Sequence, residues 1–222
     1  MGAILYYVHD PMCSWCWGYR PAFQRLKAQL PADVEIRCVL GGLAPDSDQP
    51  MPEEMQQMLQ LTWRRIASQL GTEFNHDFWT QCQPRRSTYP ACRAVIAAKK
   101  QGQEHAMTEA IQQAYYLRAM NPSDYQTHAR LAAELGLDVA RFMTDIISAE
   151  VDALLQEDIA HTAALGVSGF PSLVLEVEGQ RWPIAVAYQN ELTTLNDIKD
   201  KLKWANAKSV MKGWFVKKVS RL

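Results

Sequence analysis

The sequence predicts an α/β protein in which a long run of helices interrupts a small β-sheet. Three observations lead to this prediction. Two apolar runs, at residues 3–8 and 34–40, flank a helical pattern and form a βαβ unit at the start of the chain. Helical periodicity then continues almost without a break from residue 53 to 165. Strand character returns near Ser172, in a pattern typical of a β-hairpin.

The opening βαβ unit is defined by its linkers. We expect the first strand to end near His9, with a turn at Asp10-Pro11. Residues 17–30 have apolar positions spaced close to the helical period, with Trp17 near the start. Because the linkers are short, the two strands are predicted to be parallel and the helix is the crossover between them.

The central segment is predicted to be entirely helical. Gly136 and Gly166 are typical of helix ends, and Pro90 is typical of a helix start. A first helix from Glu53 is expected to place Met55, Met58, Leu59, Trp63, Ile66 and Leu70 on one face. The further helices are expected at residues 91–100, 104–120, 125–135, 139–147 and 150–165.

The last segment completes the fold. We expect strands at residues 172–177 and 181–186 around a turn at Glu178-Gly179-Gln180, and a final helix over residues 192–204. Without the helical block, the order of elements is that of thioredoxin. The predicted fold is therefore an α/β thioredoxin-like fold with a large all-helical insertion. The predicted domains are a thioredoxin-like domain of residues 1–44 and 167–222, and an insertion domain of residues 45–166.

Composition excludes several classes of function. The 23 Lys and Arg residues nearly balance the 24 Asp and Glu residues, which gives no broad attraction to nucleic acid. Five cysteines are an odd number, unlike a secreted disulfide scaffold. The apolar N-terminal run is too short to span a membrane, and no secretory signal pattern precedes the first strand. We therefore expect a cytoplasmic protein without a membrane or nucleic-acid partner.

The motif Cys13-Ser14-Trp15-Cys16 is the most informative feature of the chain. It lies where a strand gives way to a helix, and the N–H groups of a helix N-terminus stabilise a thiolate. Cys13 is the predicted nucleophile, and Cys16, one turn further on, is the predicted resolving thiol. Two structural cysteines or a zinc site are the alternatives. A zinc site requires two further ligands, and no second C-x-x-C pair exists.

A second signal precedes the hairpin, at Gly169-Phe170-Pro171. In thioredoxin-like folds this position holds a cis proline that faces the dithiol. We therefore expect a cis bond before Pro171, with the backbone of Phe170 beside Cys13, where an extended substrate can pair as an added strand. The alternative is an ordinary loop proline in the trans form.

Four segments together resemble a known family: Asp10-Pro11-Met12-Cys13-Ser14-Trp15-Cys16-Trp17-Gly18, Gly41-Gly42-Leu43, Pro90-Ala91-Cys92-Arg93-Ala94 and Gly166-Val167-Ser168-Gly169-Phe170-Pro171. They are similar to the DsbA-like thioredoxin family, in its cytosolic branch of predicted protein-disulfide isomerases related to FrnE. The resemblance implies the helical insertion, the Cys13/Cys16 dithiol and the cis form of Pro171. Periplasmic DsbA has Pro-His between its cysteines, where this chain has Ser14-Trp15, so we do not expect a strong oxidant. The related kappa-class glutathione transferases and 2-hydroxychromene-2-carboxylate isomerases usually lack the second cysteine.

The substrate-binding candidates lie next to these motifs: Trp15, Trp17, Phe170 and Pro171. Met51, Met55 and Met58 also suit an apolar groove, although helical spacing favours the core for Met55 and Met58. His9 either supplies charge near the dithiol or simply ends the strand.

The remaining cysteines and the C-terminal segment are predicted to be structural. Cys38 and Cys92 are expected to be buried, and Cys82 to be more exposed, with a Cys82–Cys92 regulatory disulfide as the alternative. Residues 205–222 are basic, which is typical of a solvated final helix or of a segment that docks on the domain or on an anionic partner.

The sequence therefore predicts a cytoplasmic thiol–disulfide oxidoreductase that reduces or isomerises disulfides through a mixed disulfide on Cys13, resolved by Cys16. The expected partners are protein or small-molecule disulfides, with glutathione as a further partner. No metal and no bound cofactor is required. Two alternatives stay open: a glutathione-dependent transferase or isomerase acting on a small molecule, and a redox-sensing, chaperone-like binding protein.

Overall fold

A computed structural model describes residues 2–219 of the chain, without the side chains of residue 206 and of residues 208–219. The described residues form four strands and nine helices. The strands are β1 (Ala3–His9), β2 (Val34–Leu40), β3 (Ser172–Val177) and β4 (Gln180–Ile184). The helices are α1 (Ser14–Lys27), α2 (Glu53–Leu70), α3 (Phe78–Gln81), α4 (Tyr89–Lys99), α5 (Glu104–Leu117), α6 (Tyr125–Glu134), α7 (Val139–Ile146), α8 (Ala149–Ala164) and α9 (Glu191–Val219).

The sheet has the strand order β2-β1-β3-β4. Strands β3 and β4 pair antiparallel, with Leu173 opposite Ile184 and Val177 opposite Gln180. The tight turn between them uses Glu178 and Gly179, both at positive φ. The element order βαβ, helices, ββα is the predicted one, and the thioredoxin-like α/β fold class is confirmed.

The chain divides into two compact units, which we describe separately. The sheet unit contains the described residues of Met1–Tyr7, Pro21–Cys38 and Ser172–Leu222. In it, Tyr7 stacks on Phe23 with ring centroids 4.1 Å apart, and an ion pair of 2.9 Å joins Arg25 to Glu191 at the start of α9. The hydroxyl of Thr194, near the start of α9, donates to the carbonyl of Ala185 after β4.

The helical unit contains Val8–Arg20 and Val39–Pro171. Helix α4 is its centre, because residues 90–98 are all buried and α4 packs against α5, α6, α7 and α8. Small side chains on α4, such as Ala94 and Ala97, let the neighbouring helices approach closely. The division between a thioredoxin-like domain and an insertion at residues 44/45 and 166/167 remains a prediction.

Two elements begin or end away from their expected positions. Helix α1 starts at Ser14, three residues before the predicted start, so that Cys16 is helical and Cys13 immediately precedes the helix. Helix α9 continues to Val219, beyond the predicted end at Trp204. The side chains of the basic segment after residue 207 lie outside the described residues, so its predicted role is not tested. The short helix α3 was not predicted, because four residues are too few to show a period.

Helix α2 corrects the prediction that Met58 belongs to the core. Its buried residues are Trp63 and Ile66, whereas Met58 is 51% exposed. A residue five positions before Trp63 lies about 140° round the helix from it, which turns Met58 toward solvent. Met55 is half-buried and Met51, before the helix, is buried. No helix in the described range is long and apolar enough to cross a membrane.

Candidate functional site

The two cysteines of the motif lie at the N-terminus of α1, within the helical unit. The turn before the helix is closed by the N–H of Cys13, which donates to the carbonyl of Asp10 over 3.0 Å. The carbonyl of Cys13 in turn accepts from the N–H of Trp17 over 3.1 Å, as in the first turn of a helix. Cys13 therefore occupies the position where the free N–H groups and the dipole of α1 favour negative charge.

The Cys13 thiol meets the loop that precedes β3. It donates a hydrogen bond of 3.4 Å to the carbonyl of Phe170, a residue 157 positions away in sequence. The Phe170–Pro171 peptide bond is cis, the isomer that the sequence predicts. The side chain of Cys13 is nearly buried, since the residue is 7% exposed. The predicted neighbours Cys13, Phe170 and Pro171 are therefore brought together.

Glycine is required where the Phe170 ring rests. A Cβ added at Gly41 would lie 2.0 Å from Cζ of Phe170 and 2.1 Å from Cε1, far inside van der Waals contact. The neighbouring Gly42 has a positive φ, and a Cβ there would meet Ile159 and Tyr89. The Gly41-Gly42 pair thus lets the Phe170 loop approach the end of β2.

Cys16 is the inaccessible member of the pair. It is the third residue of α1 and is 0% exposed. Burial raises the pKa of the Cys16 thiol well above its ordinary value, with further contributions from its hydrogen bond to Cys13 and from the charge of Cys13. Both cysteines are free thiols in the structure. The pair therefore has one thiol that contacts the Phe170 loop and one that is fully buried with its pKa raised.

The main feature of the site that the sequence does not predict is a buried carboxylate, that of Asp10. Asp10 is 0% exposed. Its Oδ1 accepts from the N–H of Met12 over 2.7 Å, and its Oδ2 accepts from the N–H of Leu43 over 2.8 Å. The hydroxyl of Thr88 and the thiol of Cys92 also donate to Oδ2, over 2.7 Å and 3.6 Å.

Asp10 thus joins three segments of the helical unit: the loop before Cys13, the loop after β2 and the start of α4. Among the described residues it has hydrogen-bond donors but no ion pair. Burial raises the pKa of the Asp10 carboxyl, and the bonds from Leu43, Thr88 and Met12 oppose that rise. The sequence signal is an acid at the end of an apolar strand, directly before a proline, and that pattern by itself predicts only a turn.

An aromatic cluster supports the first turn of α1 from below. Trp17 stacks on Tyr116 with centroids 5.5 Å apart, and Trp63 packs edge-on against Tyr116. The Tyr116 hydroxyl donates to the carbonyl of Met12 over 2.8 Å, which fixes the residue before Cys13. Trp17 is only 5% exposed, and its indole N–H donates to the carbonyl of Glu73 over 3.0 Å. Trp17 is thus mostly a core residue.

Trp15 and His9 lie differently. Trp15 is half-buried, with the guanidinium of Arg65 5.7 Å from its ring centroid. His9 is buried, and burial together with the charge of His105 lowers its pKa to about 4. A histidine with that pKa is neutral at pH 7, so His9 does not supply positive charge to the dithiol.

None of the remaining cysteines forms a disulfide in the described part of the chain. Cys92 is fully buried as predicted, but Cys38 is half-buried, because alternate residues of β2 face away from the core. Cys82 is half-buried and its thiol donates to the carbonyl of Ala119 over 3.1 Å. In the described part of the chain, no group of three or more His, Cys, Asp or Glu residues is arranged to hold a metal ion.

A dithiol at a helix N-terminus, placed beside the loop before a returning strand of a thioredoxin-like fold, defines the class of thiol–disulfide oxidoreductases. The chain belongs to the thioredoxin family, whose model matches residues 6–186. The predicted membership is confirmed by this family match, and solved structures of DsbA-type oxidoreductases share the fold.

Two solved structures are similar over nearly the whole chain. One, from Nitrosomonas europaea, is provisionally assigned as a protein disulfide isomerase; it is 25% identical with a TM-score of 0.80, over 92% of this chain and 99% of that one. The cytosolic disulfide reductase DsbM from Pseudomonas aeruginosa is 24% identical with a TM-score of 0.72, over 90% of this chain and 97% of that one. A further structure of DsbM contains GSH.

A curated relative has a different role. The ClpXP adapter protein SpxH of Bacillus subtilis (strain 168) is 27% identical over 192 residues, which is 83% of this chain. The match covers 63% of SpxH, so this chain spans less than two thirds of that protein's length. The fold is therefore shared with proteins described as a reductase and an isomerase, and the sequence is similar to that of a protein described as an adapter.

Proposed function

We propose that the protein is a cytoplasmic disulfide reductase or isomerase that uses Cys13 as nucleophile and Cys16 as resolving thiol. The observation that supports this most directly is the place of the Cys13 thiol. It lies at the N-terminus of α1, 3.4 Å from the Phe170 carbonyl that precedes the cis Pro171. A substrate strand laid along Phe170 would bring its own disulfide to that sulfur.

The proposed reaction has two exchanges. The Cys13 thiolate attacks one sulfur of a substrate disulfide, a new bond joins the two sulfurs, and the other substrate sulfur leaves as a thiolate and takes up a proton. Cys16 then loses its proton and attacks the Cys13 sulfur, which forms the Cys13–Cys16 disulfide and releases the second substrate thiol. The substrate gains two electrons and the dithiol loses two. A thiol reductant must return the protein to the dithiol form.

Isomerisation begins with the same attack by Cys13 but omits the attack by Cys16. If a substrate thiol attacks the mixed disulfide before Cys16 does, the substrate leaves with a new disulfide and the dithiol is unchanged. The burial of Cys16, with its raised pKa, slows its own attack and so gives the substrate time to rearrange. The competition between these two exits determines whether reduction or isomerisation dominates.

The contacts suited to substrate are Trp15, Phe170 and Pro171, which are all half-buried. Trp17 contributes mainly by supporting the helix turn from below. The partners that fit are protein disulfides in an extended segment and small-molecule disulfides, including that of glutathione. The likeness to DsbM, described as a cytosolic reductase, supports reduction as the net direction.

A second candidate function is a binding role, in which the protein holds a partner and the dithiol senses redox state. The observation that favours it is the likeness to the SpxH adapter over 83% of this chain. A binding role does not require turnover of the dithiol. The two candidate functions therefore differ in whether the protein catalyses the reduction of disulfides.

The deciding experiment is reduction of insulin disulfides with dithiothreitol as reductant. We expect turnover by the wild type, none by Cys13→Ser, and stalled mixed disulfides with Cys16→Ala. Cys38→Ser is the matched control, because it removes a half-buried thiol outside the motif. Partner capture that is equally strong in the wild type and in Cys13→Ser, without any turnover, would instead support the binding role.

A further inference from the structure

Two arginines lie over the two tryptophans of the motif. The guanidinium of Arg20 is 4.6 Å from the ring centroid of Trp17, and that of Arg65 is 5.7 Å from the ring centroid of Trp15. Both distances are within the range of cation–π contact. Trp15 and Trp17 are the residues immediately before and after Cys16 in the chain.

Among the described residues, Arg20 and Arg65 form no ion pair, whereas Arg93, Arg118 and Arg130 in the same unit each pair with a carboxylate. Glu73 is the acid whose backbone contacts Trp17, but it does not pair with Arg20. A cation–π contact uses the face of the guanidinium and leaves its N–H edge available to a carboxylate.

Arg20 also lies on the face of α1 that carries the nucleophile. Cys13, Trp17 and Arg20 have the spacing i, i+4, i+7, which places them in one line along the helix. Long side chains in a helix point back toward its N-terminus. The Arg20 guanidinium accordingly lies back over Trp17, on the side of the helix N-terminus that Cys13 precedes.

We propose that Arg20 and Arg65 select disulfides that carry carboxylates, so that the preferred substrate class is anionic disulfides. The proposal rests on the proposed function and adds a charge preference to it. A carboxylate on the incoming half-disulfide would accept N–H donors from one guanidinium while Cys13 attacks the sulfur. Oxidised glutathione, which bears such carboxylates, is the anionic probe; cystamine is the cationic probe and hydroxyethyl disulfide the neutral one.

The test is a single turnover of pre-reduced protein, which requires no external reductant. Each probe disulfide receives two electrons and becomes two thiols, while Cys13 and Cys16 form a disulfide. The second-order rate is followed by acid quench, alkylation and mass spectrometry. Variants are Arg20→Gln, Arg65→Gln and the double change. Arg64→Gln is the matched control, because Arg64 is the exposed neighbour of Arg65 on α2 and has no cation–π contact among those found in the described residues.

With oxidised glutathione we expect the rate to fall about threefold in each single variant and roughly tenfold in the double variant, in keeping with partly exposed charge pairs. The same changes should leave hydroxyethyl disulfide unaffected and accelerate cystamine, because a repelling charge is removed. Each variant is compared with wild type on the same probe, since the leaving thiols differ in acidity. Raising the salt concentration should weaken the wild-type preference.

The outcomes test the preference for anionic disulfides separately from the proposed dithiol chemistry. Equal losses on all three probes, or a loss in Arg64→Gln as large as in Arg65→Gln, would overturn the selection of anionic disulfides and leave the dithiol chemistry intact. No exchange by the wild type with any probe would overturn the proposed function itself.

Discussion

Two cysteines of the helical unit lie at similar positions relative to a helix N-terminus but have different hydrogen-bond partners. Cys13 immediately precedes α1, and Cys92 is the fourth residue of α4, so both lie near a helix N-terminus. Both are nearly inaccessible, at 7% and 0% exposure. The thiol of Cys13, however, faces the carbonyl of Phe170, whereas the thiol of Cys92 donates to the buried carboxylate of Asp10.

The contrast between Cys13 and Cys92 indicates that a position at a helix N-terminus is not enough by itself to make a thiol reactive. Burial, followed by the charge of Asp10, raises the pKa of Cys92 well above its ordinary value, and these effects exceed any help from the helix. Cys13 has a neutral carbonyl as its partner and a loop edge where a substrate can approach. The partner group and the access decide the role of each sulfur.

The largest expected difference between Cys13 and Cys92 is in their rates of alkylation. With limiting iodoacetamide at neutral pH, Cys13 should be modified first and Cys92 last, because Cys92 is both buried and protonated. Replacing Cys13 with Ser should reduce disulfide exchange to the uncatalysed rate, since the nucleophile is lost. Peptide mass spectrometry over a time course measures the labelling. Equal labelling of Cys13 and Cys92 would contradict the comparison.

The next largest effect is expected from filling the space under Phe170. Gly41→Ala places a Cβ 2.0 Å from Cζ of Phe170, so the ring must shift, and we expect the shift to disturb the contact between the Phe170 carbonyl and Cys13. We expect slower exchange and a loss of about 1–3 kcal/mol in the free energy of unfolding, as for overpacked cores. Chemical denaturation and the exchange rate measure the two effects.

Gly169→Ala is the matched control for this change. Gly169 is also close to Phe170 in the chain, but a Cβ there has nothing within 4 Å. Its unfolding free energy should stay within about 0.5 kcal/mol of wild type, the usual range for a surface substitution. Similar losses in both variants would show that the loop, rather than the contact with Gly41, is sensitive.

A third prediction concerns Asp10, whose charge distinguishes the surroundings of Cys92. Asp10→Asn keeps the size of the side chain but cannot accept from both Met12 and Leu43 on two oxygens, which should cost about 1–3 kcal/mol. It also removes the charge that contributes to the raised pKa values of Cys92 and Cys16, so both should become more acidic. Carbon-13 NMR of labelled cysteine follows both titrations.

The pH dependence of stability tests whether folding raises the pKa of Asp10. Because burial raises its pKa in the folded state, the folded protein binds this proton more tightly than the unfolded chain does. The stabilisation is full below the unfolded carboxyl pKa, about 3.9, and is lost as the pH rises through the raised folded value. Stability of the wild type relative to Asp10→Asn should therefore fall with rising pH. A difference that rises with pH would contradict a buried, raised Asp10.

The sequence predicted what depends on local pattern and missed what depends on packing. The cysteine spacing and the proline before a returning strand are local signals, and both Cys13 and Pro171 lie where expected. Asp10 and Gly41 gave no such signal, because their partners are distant in the chain: Thr88 for the carboxylate and Phe170 for the glycine. Periodicity also placed Met58 in the core, because it shows that a helix has an apolar face but not which neighbours cover it.

The smallest predicted effect tests whether Cys92 matters only through Asp10. Cys92→Ser keeps a donor toward the carboxylate, whereas Cys92→Ala removes it. Neither should change the exchange rate more than about twofold, because Cys92 contacts no substrate and both replacements are small.

The two variants should differ in one respect. The bond from Cys92 lowers the pKa of Asp10, so its loss in Cys92→Ala should raise that pKa further. The fall in stability with rising pH should then occur at higher pH in Cys92→Ala than in Cys92→Ser. Denaturation midpoints across a pH series measure the shift. If the two curves coincide while exchange is lost in both, Cys92 has a role in the chemistry, and the contrast between the two cysteines does not hold.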